Sequence, residues 1–481
     1  MIPLTLWLWS IFLGLLFWGT SSLRHLLLQS NAYDLGLFDQ WAWLLATGEA
    51  PISSMEGVHV LADHAAWLFP LIALPYKAIA TTQWLLLSQS FALTLTAIPL
   101  WVLSRKTGLS LKHSWLVCYL WWLQPVVFNT NLFDFHPEVW AMPALAGCFI
   151  ALREGKLLPW FAMILVLLGC RDGLALIVIG LGIGAALQRR WQMACMAWLM
   201  GFGWLFFLSY WFYPLLKGEG VRAASRYTYL GNSFSEIALN ITSNPIIAFK
   251  SVLTLDALGY IILITAGLLP FWRRASLTTI ATAAPLIISN IISASNSQRT
   301  LIHHYNLPVA LIFVVAAVNG IAVDPHQKFP WRKLAWVSLT WALLAKPWFF
   351  SGPYLERRAL IGSAQLAIKS INQTDSVLTT SYLVPHLSHR KQIEFPKLKA
   401  SSIDIDRFDV LLLNPLDPGW ASNTITQNEL ITKAINDGWE CSSFKAKGLK
   451  FCRNTEPNHN TNMSLKDIND AYKNQTATPT N

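Results

Sequence analysis

Apolar residues gather in long runs over the first 350 positions, separated by short polar joints. Runs suited to helices lie at 3–22, 83–104, 113–130, 138–152, 156–170, 172–188, 191–215, 247–271, 276–295, 304–322 and 333–350. A straight helical crossing of a bilayer takes about 20 apolar residues, and several of these runs are shorter. No basic stretch precedes 3–22 and no small-residue cleavage site follows it, which predicts an uncleaved helix rather than a signal peptide. The run 64–80, HAAWLFPLIALPYKAIA, is interrupted by Pro70 and Pro75 and is short for a crossing. It is expected to re-enter or to lie in the interface. After Pro347 the pattern changes. Helical periods at 358–371 and 426–437 alternate with strand-like runs at 375–380 and 408–413 and a hairpin-like stretch at 439–453. That predicts a small α/β domain over 351–455, following a transmembrane domain over 1–350. The tail 456–481, rich in Asn, Thr and Lys, lacks the residues of a core and is expected to be disordered.

Composition agrees with the pattern. The 481 residues are 54% hydrophobic and 13% charged, whereas a soluble domain carries about 25% charged residues. The mean hydropathy is positive. The 24 Trp suit belts at two membrane–water interfaces. A net charge of +10 could suggest nucleic acid, but much of it sits in the short joints, where positive-inside bias puts it. The expected partner is lipid, with no nucleic acid. Cys118, Cys148, Cys170 and Cys195 fall in or beside apolar runs as packing residues, and no Cys/His spacing suggests zinc.

The basic joints set the topology. If 64–80 does not cross, then Arg105/Lys106/Lys112, Arg153/Lys156, Arg189/Arg190, Arg273/Arg274 and Lys328/Arg332/Lys333 all face one side. That side is the cytoplasm. The expected fold is therefore an α-helical polytopic membrane protein of about eleven spans plus one re-entrant or interfacial helix. Its N-terminus is inside, and its small α/β domain is on the outer face. The same topology gathers Asp34, Asp39, Asp63, Asp134, Glu138, Asp172, Glu219, Glu236 and Asp256 near the outer face, with His59, His64, His136, His303 and His304. Acids carry little weight in sorting, so this asymmetry points to an outward-facing polar cavity.

Four clusters carry candidate chemistry. The first is the stretch Tyr33–Ala46, YDLGLFDQWAWLLA, a short interfacial helix with Phe38, Trp41 and Leu45 on one side. Five residues set Asp34 and Asp39 about 140° apart, so one can face a cavity while the other caps or meets water; Asp34 suits an N-cap as well as a catalytic acid. The second is Phe133-Asp-Phe-His-Pro-Glu138. Pro137 and Glu138 suit the start of the next helix, but Asp134 and His136 beside them have the cost of ionisable groups at membrane depth. The third is Cys170-Arg-Asp-Gly173, either an Arg171–Asp172 pair at the interface or an Arg171 that meets phosphate. The fourth joins Arg226, Tyr227 and Tyr229 to the run Gln298–Tyr305, with Arg299 and His303. These are interfacial anchors, or a grip for phosphate and a platform for sugar or isoprenoid. None has metal-ligand spacing, and no cofactor is expected.

The run WECSSFKAKGLKFC predicts a further feature. A two-residue loop at Ala446 and Lys447 places Cys441 opposite Cys452, close enough for a disulfide. A turn shifted onto Lys447–Gly448 would pair Cys452 with Ser443 instead.

YDLGLFDQWAW, DHAAWLFPLIALPY, FDFHPE, RDG and RYTYLG together resemble the bacterial family of polytopic proteins called domain of unknown function 2079, over residues 20–450. That family is similar to the GT-C glycosyltransferases, such as the protein mannosyltransferases and the aminoarabinose transferases. The resemblance implies transfer of a sugar from a polyprenyl-phosphate carrier at the outer face. Those enzymes carry an acidic motif on a juxtamembrane helix that ends in Gly some fourteen residues on, the spacing of Asp34 and Gly48. It implies Asp34 as general base, although Leu35 stands where the motif has Glu, and Asp134 or Glu138 as the acid of a second outer loop. On this expectation Asp134 and His136 orient sugar or acceptor, and Arg171, Arg226, Arg299 and His303 meet the phosphate; the acceptor is not readable. The alternative is a transporter or lipid-binding protein using the same cavity. Such proteins often show repeats and mid-span acids, and neither is evident.

Overall fold

In the computed structural model the described residues are 1–218, 222–231, 234–244, 246, 250, 252–324, 327–398, 403–443 and 448–455. Glu219, the tail 456–481, most of the expected turn at 445–448, and parts of the stretch 217–246 and of the expected 247–271 span lie outside them. The chain divides into two compact units, 1–21 with 61–69 and 86–348, and 22–60 with 70–85 and 349–481.

The first unit is helical. Five helices of the chain are long and apolar enough to cross a membrane, among the described residues: Leu4–Leu26, Gln83–Lys106, Trp191–Lys217, Arg274–Ile292 and His304–Ile321. Leu157–Cys170, Asp172–Leu187 and Leu255–Thr265 are shorter and also apolar. Their environments differ. Trp191–Lys217 keeps most of its apolar side chains at the surface, whereas His304–Ile321 is buried on nearly all sides. A helix that is apolar all round belongs at the centre of a bundle or against lipid, and this one takes the centre. Gly320 permits part of that packing, since a Cβ there would meet the Phe271 carbonyl oxygen at 2.1 Å. The expected run 113–130 is two helices, Leu111–Trp122 and Pro125–Leu132. Gln124 is extended at φ −73° and ψ 125°, as a residue before proline prefers, and Pro125 starts the second helix without needing a donor.

The second unit holds a five-stranded sheet of order β2–β1–β3–β5–β4. Its strands are β1 Val377–Thr379, β2 Ile393–Glu394, β3 Val410–Leu413, β4 Glu440–Ser443 and β5 Lys450–Arg453. β1 pairs in parallel with β2 and β3, and β5 runs antiparallel to β3 and β4. The FDVLLL run is buried on both faces, as a central strand requires. Helix Thr424–Asn436, capped by the Asn423 side chain on the Thr426 N–H at 2.7 Å, adds Leu430, Ile431 and Ala434 to a core with Leu411, Leu413 and Trp439. Cys441 faces Cys452 across β4 and β5, and their sulfurs are bonded. The segment Ala73–Ala78 is a six-residue helix; at 1.5 Å per residue it rises about 9 Å, well short of a crossing.

Candidate functional site

In the first unit, ends of several helices surround a cavity of about 230 Å3. Arg171 sits where helix Leu157–Cys170 ends and the backbone turns extended. Its side chain reaches away from its sequence neighbour. Arg171 Nη1 donates to Glu138 Oε1 at 2.5 Å and meets His304 Nε2 at 2.8 Å. His304 Nε2 also lies 3.0 Å from Glu138 Oε1, so the three side chains form one cluster. Glu138 Oε2 and His304 Nδ1 are buried without a hydrogen-bond partner among the described residues. Both residues line the cavity, so a polar ligand can satisfy those atoms.

A second arginine lies on the same cavity. Arg226 Nη2 donates to the Tyr305 hydroxyl at 3.1 Å, and its guanidinium stands 5.0 Å from the Tyr305 ring centroid. No carboxylate lies within ion-pair reach of Arg226 among the described residues. Tyr227 also lines the cavity, its hydroxyl 2.7 Å from Ser289 Oγ. The remaining wall is acidic. Asp172 accepts from the Tyr213 hydroxyl at 2.9 Å and from the Gly173 N–H at 2.7 Å. His64 lies 3.2 Å from Asp63 and 3.8 Å from Asp172. The cavity is thus cationic on one side and acidic on the other.

The remaining expected residues of this unit stand behind or beside that cavity. His136 is buried with its ring 3.8 Å from His304 and stacked at 5.5 Å on Phe133. Asp134 is buried in a turn at φ +56°, and Gln89 clamps the turn by donating to the Asp134 carbonyl and accepting from the His136 N–H. Arg299 serves the end of helix Ala284–Ile292, donating to the carbonyls of Asn290, Ile291 and Ser293. His303 packs on Phe133 at 4.5 Å and meets Thr300 Oγ1 at 2.9 Å. Neither Arg299 nor His303 lines the cavity. Arg171 pairs with Glu138 rather than Asp172, because the Asp172 side chain turns to Tyr213 and to its own short turn. Of the residues that complete the site, His304 and Tyr305 lie in the expected run Gln298–Tyr305, whereas Tyr213 was not expected, its only sequence signal being polarity near the end of an apolar run.

The two acids of the Tyr33–Ala46 stretch lie in the second unit. A π-helical turn, Ala32–Gly36, precedes helix Leu37–Thr47, which ends at Gly48 with φ +77°. The cap of that turn is Asn31, whose side chain accepts from the Ala32 N–H. Asp34 is half-buried within the turn. Asp39 is 0% exposed. Its oxygens accept from the Tyr76 hydroxyl at 2.5 Å and from the Ser388 hydroxyl, and His389 Nε2 lies 2.9 Å away. Burial pulls the His389 pKa down, but the Asp39 charge and contact outweigh it and hold it above the ordinary value. The same carboxylate, with burial, raises the Tyr76 pKa.

Apolar helices around a polar cavity, with a small α/β unit on the same chain, define a polytopic membrane protein of GT-C-like fold. The chain is similar to the solved structure of ArnT from Cupriavidus metallidurans bound to undecaprenyl phosphate, with a TM-score of 0.55 over 92% of this chain and 97% of that one. The two are 12% identical, so the likeness speaks for the fold. The chain belongs to the family described as predicted membrane protein (DUF2079), which matches residues 24–449. No curated protein matches it.

Proposed function

We propose that the protein is a membrane glycosyltransferase that moves a sugar from a polyprenyl-phosphate donor to a hydroxyl acceptor on the outer face of the membrane. The observation that carries this reading is Arg226, which has no carboxylate partner among the described residues, on a cavity that also holds the Glu138 and His304 atoms left unpaired among those residues. A phosphate supplies the missing anion, and Arg suits its several oxygens. The fold-likeness to a protein solved with undecaprenyl phosphate supports the same class of ligand.

In this reading the acceptor hydroxyl gives its proton to a carboxylate base, and its oxygen attacks the anomeric carbon. The bond from that carbon to the phosphate oxygen breaks, and its electron pair leaves on the polyprenyl phosphate. Arg226 and Arg171 hold that developing charge. Glu138 and His304 fix Arg171, and Tyr227 and Tyr305 provide aromatic surface for sugar or isoprenoid.

The test uses purified protein with a polyprenyl-phosphate sugar and with the free polyprenyl phosphate. Arg226→Gln should weaken lipid-phosphate binding about 10–100-fold, the equivalent of one hydrogen bond to a charged group. A stable wild type that binds no polyprenyl phosphate and turns over no such donor would replace this reading with the transporter.

A further inference from the structure

The second unit contains a pocket of about 420 Å3 that the transfer reading does not use. Arg390 lines it and is 5% exposed. Nε donates to the Leu387 carbonyl, and Nη1 donates to the carbonyls of Asn372 and Asp375. Among the described residues no carboxylate pairs with it. The nearby Asp375 side chain is taken by Asn372 and Arg453. A buried charge satisfied by carbonyls alone is costly, and burial accordingly pushes the Arg390 pKa down to about 10.

Other groups on the pocket are also unsatisfied. Thr82 lines it, is 8% exposed and makes no side-chain hydrogen bond among the described residues. His386 Nε2 is buried without a hydrogen-bond partner among the described residues; the ring stacks on His25 at 4.1 Å. His389 completes the polar wall. Asp39 lines the pocket as well, but its oxygens are engaged by Tyr76, Ser388 and His389. With Asp39 set against His389, the guanidinium of Arg390 is left on the pocket with no carboxylate at ion-pair distance among the described residues.

We infer that this pocket is an anion site for a phosphate ester, built from the free Nη2 edge of Arg390, the Thr82 hydroxyl, His386 Nε2 and His389. Donors of different reach around one pocket suit the several oxygens of a phosphate better than the two of a carboxylate. Ile368, Ile371, Pro385 and Leu387 leave apolar wall for a short organic group beside it. The phosphate can come from a free small molecule or from a lipid headgroup.

The experiment is calorimetric titration of the full chain in detergent with inorganic phosphate and with glycerol phosphate, repeated with the protein reconstituted in vesicles with and without phosphatidylglycerol, so that the lipid competes with the soluble probe. Glycerol phosphate should bind, and Thr82→Val should weaken it about tenfold, as loss of one hydrogen bond to a charged group does. Arg390→Gln should abolish binding; because its carbonyl contacts also hold the fold, Thr82→Val and His386→Phe carry the decision if that variant is unstable. Competition by the vesicles would identify a headgroup as the source, and indifference to them a free phosphate. Equal affinity in Thr82→Val, His386→Phe and wild type, or no binding of any probe, would overturn the inference. Arg226→Gln should leave this binding intact, which separates its failure from failure of the transfer reading.

Discussion

Asp39→Asn is the sharpest perturbation of the second unit. Asp39 is fully buried, and three groups converge on its two oxygens: the Tyr76 and Ser388 hydroxyls and the His389 imidazole. An amide keeps one acceptor but aims a donor at a group that itself donates. It also leaves His389 beside no charge. Hydrogen bonds to a charged group contribute about 1.5–3 kcal/mol each, and breaking a buried pair costs about 3–5 kcal/mol. The second figure governs, because the partners stay in place. Thermal unfolding of purified protein should begin on the order of 10 °C lower. The pH dependence has a definite sign. His389 has a folded-state pKa above its ordinary value of about 6.5, so its pairing with Asp39 contributes fully below that value and is lost as pH rises through the raised pKa. The gap between wild type and Asp39→Asn should therefore be widest in mildly acidic buffer and narrow in alkaline buffer. A double-mutant cycle with His389→Gln should show coupling between the two. Unchanged melting in Asp39→Asn, or a gap independent of pH, would refute the assignment of Asp39 as a buried structural anion.

Arg171→Gln should destabilise the protein by about 3–5 kcal/mol, since it leaves Glu138 buried without its cation; adding Glu138→Gln should recover part of that, read as melting temperature in detergent. Intact mass of non-reduced protein should show Cys441 and Cys452 joined, and Cys441→Ser should lower the stability of its unit by about 2–4 kcal/mol. A reporter active only in the cytoplasm, fused after Asn481, should be silent; strong activity would mean that 64–80 crosses.

Legibility followed the range of the interactions. The helices Leu157–Cys170 and His304–Ile321 lie almost where the apolar runs place them, because composition alone makes them. Strands β1 and β3 likewise fall within their expected stretches, and helix Thr424–Asn436 begins two residues before the expected 426–437. The two-residue strand β2 escapes, being too short to carry a period. Run 113–130 breaks at Gln124–Pro125, within what reads as one apolar run. The cavity was harder to read. Arg171 stands next to Asp172 in sequence, yet its partners Glu138 and His304 are 33 and 133 residues away. Asp39 is tied to His389 across a far longer gap. Residue type marked these groups as costly at membrane depth, but pairing is decided by the fold.

Helix His304–Ile321 has one more consequence. Segments of a multi-pass protein enter the bilayer before they associate, so this helix meets acyl chains during biogenesis and is then enclosed by its neighbours. Its strong hydropathy serves entry, while its small residues, such as Ala316, Ala317 and Gly320, serve the later enclosure. A bulky apolar replacement of Gly320 would therefore insert as readily as the wild type and stall at association. Such a chain would be membrane-integrated but open to proteases, a defect that hydropathy does not reveal.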